Sequence, residues 1–155
     1  YGQGIIRKFA DNTSEMKRLA ARDFEDILQC AIPVFEGLFP GEHDAIVQLL
    51  LYRFAQWHAL AKLRMHSETT LSALEETFKR LSRQLRKFRD RTCTIFTTVE
   101  LPKEKAARER QVARERPGLN NPDQAGSGGR KSKKFNLNTY KFHAMGDYVR
   151  SIMLF

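Results

Sequence analysis

Residues Ala45–Met65 read AIVQLLLYRFAQWHALAKLRM, and only Gln48, Arg53, Gln56, His58, Lys62 and Arg64 among them are clearly polar. Ile46, Leu49, Leu50, Phe54, Trp57, Leu60 and Ala61 recur at helical spacing, with further apolar neighbours on both sides. A helix apolar around most of its circumference has to be covered by other elements. About 20 apolar residues would also cross a bilayer, but Arg53 near the middle and Lys62 and Arg64 near the end oppose a membrane span. The stretch therefore predicts a buried central helix over 45–65 in a soluble helical body. Its start is expected near Glu42–Asp44, whose acids suit a helix N-terminus.

Downstream, His66-Ser67 breaks the pattern, and Ser67 is the natural N-cap of a second helix over 68–92. Leu71, Leu74, Phe78, Leu81, Leu85 and Phe88 alternate by three and four, which makes a narrow apolar seam. Two partners fit such a seam. One is the central helix, folded back as an antiparallel hairpin. The other lies on a separate chain, either a second copy in a coiled coil or a partner helix.

Upstream, Thr13 or Ser14 is expected to cap a helix running through Cys30, with Met16, Leu19, Ala20, Phe24, Ile27 and Leu28 as its stripe. Pro33 suits the first turn of a following helical piece that Pro40-Gly41 ends. Thr94–Val99 (TIFTTV) is rich in β-branched residues but has no evident strand partner, so a frayed helix end and a turn are expected there. Lys103–Arg116 alternates in charge with almost no apolar face and reads as an exposed or partly melted helix. Residues 117–134, PGLNNPDQAGSGGRKSKK, read as a flexible basic linker. Apolar residues return over 135–155, where Asn136 or Asn138 could cap a last helix from about Thr139. The expected fold class is thus all-α, an irregular helical bundle around the central helix. Its parts are a helical body over 1–116, the linker, and a C-terminal helix that returns to the body.

The charge is uneven. Residues 1–100 carry 15 Lys and Arg against 13 Asp and Glu, and residues 101–155 carry 12 against 5, which makes the net charge +9. A near-neutral body with a basic C-terminal third points to a polyanionic partner, DNA before a membrane surface. Cys30 and Cys93 are far apart and form no ligand cluster, which suits reduced thiols in an intracellular protein. No secretory signal opens the chain. The start at Tyr1 and the apolar end at Ser151–Phe155 suggest a fragment or an irregular gene model.

Two basic groups are candidate nucleic-acid contacts. Lys79, Arg80, Arg83, Arg86, Lys87, Arg89 and Arg91 have only Asp90 opposing them within their run. They read as a phosphate-facing stripe, since Lys and Arg gain affinity by releasing condensed counterions. They read equally as the wet face of an amphipathic helix, which must be polar in any case. Arg130, Lys131, Lys133 and Lys134 in the linker read as a nuclear address or a sequence-blind contact. His58, His66 and His143 lack ligand spacing, so no metal or cofactor is expected. Asp23, Glu25 and Asp26 read as capping and salt-bridge residues. No nucleophile–base pair and no phosphate-cradling glycine loop occurs, so no catalytic residue is assigned.

Three phrases, RDFEDILQCAIPVF over Arg22–Phe35, WHALAKLRMH over Trp57–His66 and FNLNTYKFHAMGDYVRSI over Phe135–Ile152, carry a resemblance. They resemble the C-terminal region of proteins encoded by CACTA-like DNA transposons of mushroom-forming fungi, of the Plavaka and Kyakuja-Dileera-Zisupton type. The resemblance spans roughly 17–115 and 130–152. It implies a relation to transposases that are similar to RNase-H-like nucleases, in which acids hold two metals and a helical region precedes the last acid. This chain would supply that helical region and the Lys141-Phe142-His143 phrase. The family's Gly/Thr-rich stretch with its glutamate and histidine would lie beyond Phe155, and the upstream acids would precede Tyr1. The resemblance implies a transposase-like helical fragment that cannot cut DNA alone, and the Lys79–Arg91 and Arg130–Lys134 clusters are expected to give it non-specific affinity for nucleic acid. The terminal SIMLF departs from the family's polar continuation.

Overall fold

The structure, a computed structural model, describes residues 19–115 and 129–154 and the isolated positions 6, 9 and 13. It is mostly helical, as the patterning predicts, and its residues divide into two units: Tyr1–Thr92 with Leu137–Phe155, and Cys93–Asn136.

In the first unit, helix α1 spans Ala21–Val34, α2 spans Glu42–Ala61 and α3 spans Glu68–Lys87. A single π-helical turn, Phe88–Thr92, extends α3. The six residues between α2 and α3 reverse the chain, and polar bonds fix the antiparallel register. Buried Gln84, near the end of α3, donates from Nε2 to the Ile46 carbonyl near the start of α2 at 2.8 Å. One turn further, His43 Nδ1 and Thr92 Oγ1 share a hydrogen bond of 3.2 Å. The Ser67 cap forms as expected: its Oγ accepts from the Thr70 N–H at 3.3 Å, while Thr70 Oγ1 accepts from the Ser67 N–H at 2.8 Å. Two first-turn donors are thereby satisfied reciprocally.

The seam of α3 is filled by the chain itself. Leu74 and Leu81 are fully buried and Leu85 is 3% exposed. Leu50, Leu81 and Leu85 form the core, with Phe54, Trp57, Phe88, Leu137, Phe142 and Met145 packed against it. Burying each such leucine is worth about 1.5–3 kcal/mol, which is what holds the hairpin together. The central helix is less enclosed than expected. Its inner face of Ile46, Val47 and Leu50 is buried, but Leu49 and Tyr52 are 41% and 52% exposed. It also stops at Ala61, four residues before the expected end, because Lys62 caps it and the chain must turn back.

The N-terminal expectation needs correction. Helix α1 begins at Ala21, not at a Thr13 or Ser14 cap; Ser14 lies outside the described residues. Its first turn is closed by Asp23, whose carboxylate accepts from the Ala20 N–H at 2.7 Å. Pro33 sits inside the last turn of α1 instead of opening another helix. A proline there costs one bond to the carbonyl four residues back, and the helix ends before a second is needed. Gly37 and Gly41 then turn the chain with φ of 75° and 57°, a region open to glycine.

The C-terminal segment does return to the core, as two short helices instead of one. Helix α5 spans Tyr140–Gly146, α6 spans Tyr148–Met153, and Asp147 breaks them. Thr139, not Asn136 or Asn138, provides the cap, accepting from the Phe142 N–H at 3.4 Å. Phe142 lies 5.8 Å from Phe78, and Tyr148 meets Trp57 edge-on at 5.6 Å.

In the second unit, strand β1 (Thr98–Val99) pairs antiparallel with β2 (Ser132–Lys133), Thr98 opposite Lys133 and Val99 opposite Ser132. This overturns the frayed-end reading of 94–99. It also takes residues 130–133 out of the expected flexible linker, whose residues 117–128 lie outside the described part. The strand partner was not evident because two paired residues leave no periodic signal. Helix α4 spans Pro102–Glu115 with no buried residue, an exposed charged helix as expected. Proline fits its first position, where the missing N–H has no helical partner to lose.

Candidate nucleic-acid interface

Helical geometry at 3.6 residues per turn sends Lys79, Arg83, Arg86 and Lys87 roughly opposite to Leu74, Leu81 and Leu85. Anchoring the leucines therefore turns these cations outward, and all seven cations of the run are exposed. From Lys79 to Arg91 they cover about 18 Å at 1.5 Å per residue. No aromatic of residues 75–91 is exposed: Phe78 and Phe88 both turn toward the core.

The acids opposing this stripe are more numerous than the sequence run suggests. Glu75 and Glu76, one turn upstream, join Asp90. Lys79 Nζ lies 2.9 Å from Glu75, Arg80 Nε 3.0 Å from Glu76, and Arg83 reaches the same Glu76 oxygen at 3.8 Å. Arg89 grips Asp90 through two bonds of 2.6 and 3.1 Å. The hydrogen bond from Arg80 holds the Glu76 carboxyl below its ordinary range, and Glu75 raises the Lys79 ammonium. Arg86 and Lys87, by contrast, have no carboxylate within ion-pair distance among the described residues. Periodic reading missed Glu75 and Glu76 because it counted the run from Lys79 onward; the i, i+4 spacing would have found them.

The second basic group has a different character. Glu100, only 7% exposed, accepts from Arg108 Nε at 3.0 Å and Nη2 at 2.9 Å and from the Lys131 N–H at 3.1 Å. Chiefly through the Arg108 bonds, its carboxyl is held down to about 2. Arg130 donates to the Glu100 carbonyl, and Lys133 Nζ lies 2.6 Å from Glu104. Arg130 and Lys133 thus help to organise the 93–136 unit while remaining exposed. Lys131 and Lys134 are exposed.

The histidines sit beside oxygen atoms of neighbouring side chains. His58 lies 3.6 Å from Glu25, whose other oxygen binds Lys62 and is held below the usual carboxylate range mainly by that bond. His66 is 3.4 Å from Thr70 Oγ1, and His143, of the Lys141-Phe142-His143 phrase, is 3.3 Å from Asn138 Oδ1. Among the described residues no three of His, Cys, Asp and Glu gather as a metal site, and no helix is long and apolar enough to cross a membrane. Comparison with protein-family models, curated proteins and solved structures finds no match.

Proposed function

We propose that this chain is a non-catalytic helical portion of a transposon-derived protein that holds nucleic acid by its phosphates, without reading sequence. The observation that carries the binding reading is the outer face of α3, where Arg83, Arg86 and Lys87 stand exposed opposite a rigid leucine seam. Laid along a duplex, about 18 Å of stripe spans roughly five phosphates of one strand at 3.4 Å each. A face without an exposed aromatic offers bases no stacking platform, which favours backbone contact over base contact. The three phrases quoted above support the transposon origin.

The test is fluorescence anisotropy with short duplexes of unrelated sequence. Affinity should fall by one to two orders of magnitude between about 50 and about 200 mM salt. Scrambled duplexes should bind alike, and Arg86→Glu with Lys87→Glu should abolish binding while the circular dichroism stays unchanged. No binding of the unaltered chain or of any variant at low salt would remove the reading. The origin is tested on the coding sequence beside this frame, where a Gly/Thr-rich stretch with a glutamate and a histidine is expected and an unrelated domain would refute it. The alternative, a partner helix on the Leu71–Phe88 seam, would first have to displace α2 from Leu81 and Leu85.

A further inference from the structure

We infer that Glu75 and Glu76 act as internal phosphate mimics that mask the N-terminal half of the α3 basic face, leaving Arg86 and Lys87 as the centre of binding. This rests on the phosphate-binding reading above and adds to it where on the stripe the ligand sits and what limits its affinity.

The geometry divides the stripe in two. Over residues 75–83, each cation has a carboxylate one or two turns upstream: Lys79 on Glu75 and Arg80 on Glu76 at one turn, and Arg83 more loosely on Glu76 at two. At 86–87 no such partner exists among the described residues. Beyond them Arg89 is again occupied, by Asp90. An internal carboxylate presents the same charge and acceptor oxygens that a phosphate would offer. A cation that exchanges its carboxylate for a phosphate leaves that carboxylate bare beside the polyanion. It therefore releases little net counterion, and counterion release is what drives such binding.

The consequence is numerical. With all seven cations engaged, the slope of log affinity against log salt would be about −6; with only Arg86, Lys87 and the loosely held Arg83 engaged it is about −2 to −3. Amidating both acids, Glu75→Gln with Glu76→Gln, returns Lys79 and Arg80 to the ligand. The slope should steepen by about two, equal to about twelvefold more affinity lost over a fourfold rise in salt. Affinity at low salt should rise at the same time.

A matched control separates local masking from bulk charge. Glu42→Gln with Glu68→Gln changes the net charge equally, but removes first-turn acids of α2 and α3 that none of these cations contacts. Anisotropy against one duplex across a salt series, with circular dichroism to verify folding, reads all three proteins. Steepening in the Glu75/Glu76 pair alone supports the mask. Equal steepening in both pairs, or an unaltered chain with a slope near −6, overturns it while leaving phosphate binding intact. Absence of binding in all three proteins instead overturns the functional reading on which it rests.

Discussion

Leu81→Ala is the substitution on which the fold is most exposed to refutation. Leu81 is completely buried and packs with Leu50 of α2 and Leu85 of α3 at the centre of the hairpin. Truncating such a leucine loses both transfer energy and the contacts around the resulting cavity, and costs about 2–5 kcal/mol. The site is closed by Phe54, Trp57 and Phe142 as well as the leucines, and large rings collapse poorly into a small void. The upper half of that range, about 3–5 kcal/mol, is therefore expected. For a chain of this length each kcal/mol lowers the melting temperature by about 2–4 °C, so the midpoint should fall by roughly 10 °C. Leu49→Ala, at a position 41% exposed on the flank of α2, should cost under about 1 kcal/mol. Thermal unfolding followed at 222 nm, at two protein concentrations about tenfold apart, separates the hairpin from a coiled-coil dimer. An intramolecular seam gives a midpoint independent of concentration, whereas a dimer melts higher when concentrated. A Leu81→Ala midpoint no lower than that of Leu49→Ala, or sedimentation as a dimer that Leu81→Lys dissociates without unfolding, would refute the packing argument.

Ser67→Ala removes the α3 cap and should cost about 1 kcal/mol by urea denaturation, with little change in the slope of the transition. Phe142→Ala should cost about 2–3 kcal/mol, less than a fully buried ring because Phe142 keeps some exposure; hydrogen exchange should quicken first over 140–153. Glu100 is held at about 2 against an ordinary value of 4.5, so its contribution to the 93–136 unit is complete above about pH 4.5 and is lost as pH falls toward 2. Loss of amide protection at Lys131 within that window, absent from Glu100→Gln because its amide no longer titrates, is the expected NMR result. A Lys131 amide that is indifferent to pH in the unaltered chain would show that the carboxylate does not organise the unit.

The hairpin was legible because its determinants are local and periodic. Ser67 followed by a three-and-four alternation through Phe88 specifies where α3 begins and which face it buries, and the apolar face at Ile46 and Leu50 supplies the complement. The outward direction of the α3 cations follows from the same periodicity. What only the tertiary structure decided are contacts between residues far apart in the chain. Val99 and Ser132 pair across 33 positions, and Glu100 is closed by Arg108, Arg130 and Lys131. No short-range pattern encodes such pairings, because each polar group has many acceptable partners until the fold brings one within reach. The break at Asp147 and the unequal covering of α2 belong to the same class. A helix's own sequence states which sides it could bury, but its neighbours determine which sides they cover. That α2 covers the α3 seam is likewise a matter of packing, since one apolar seam suits several partner helices until one is seen in place.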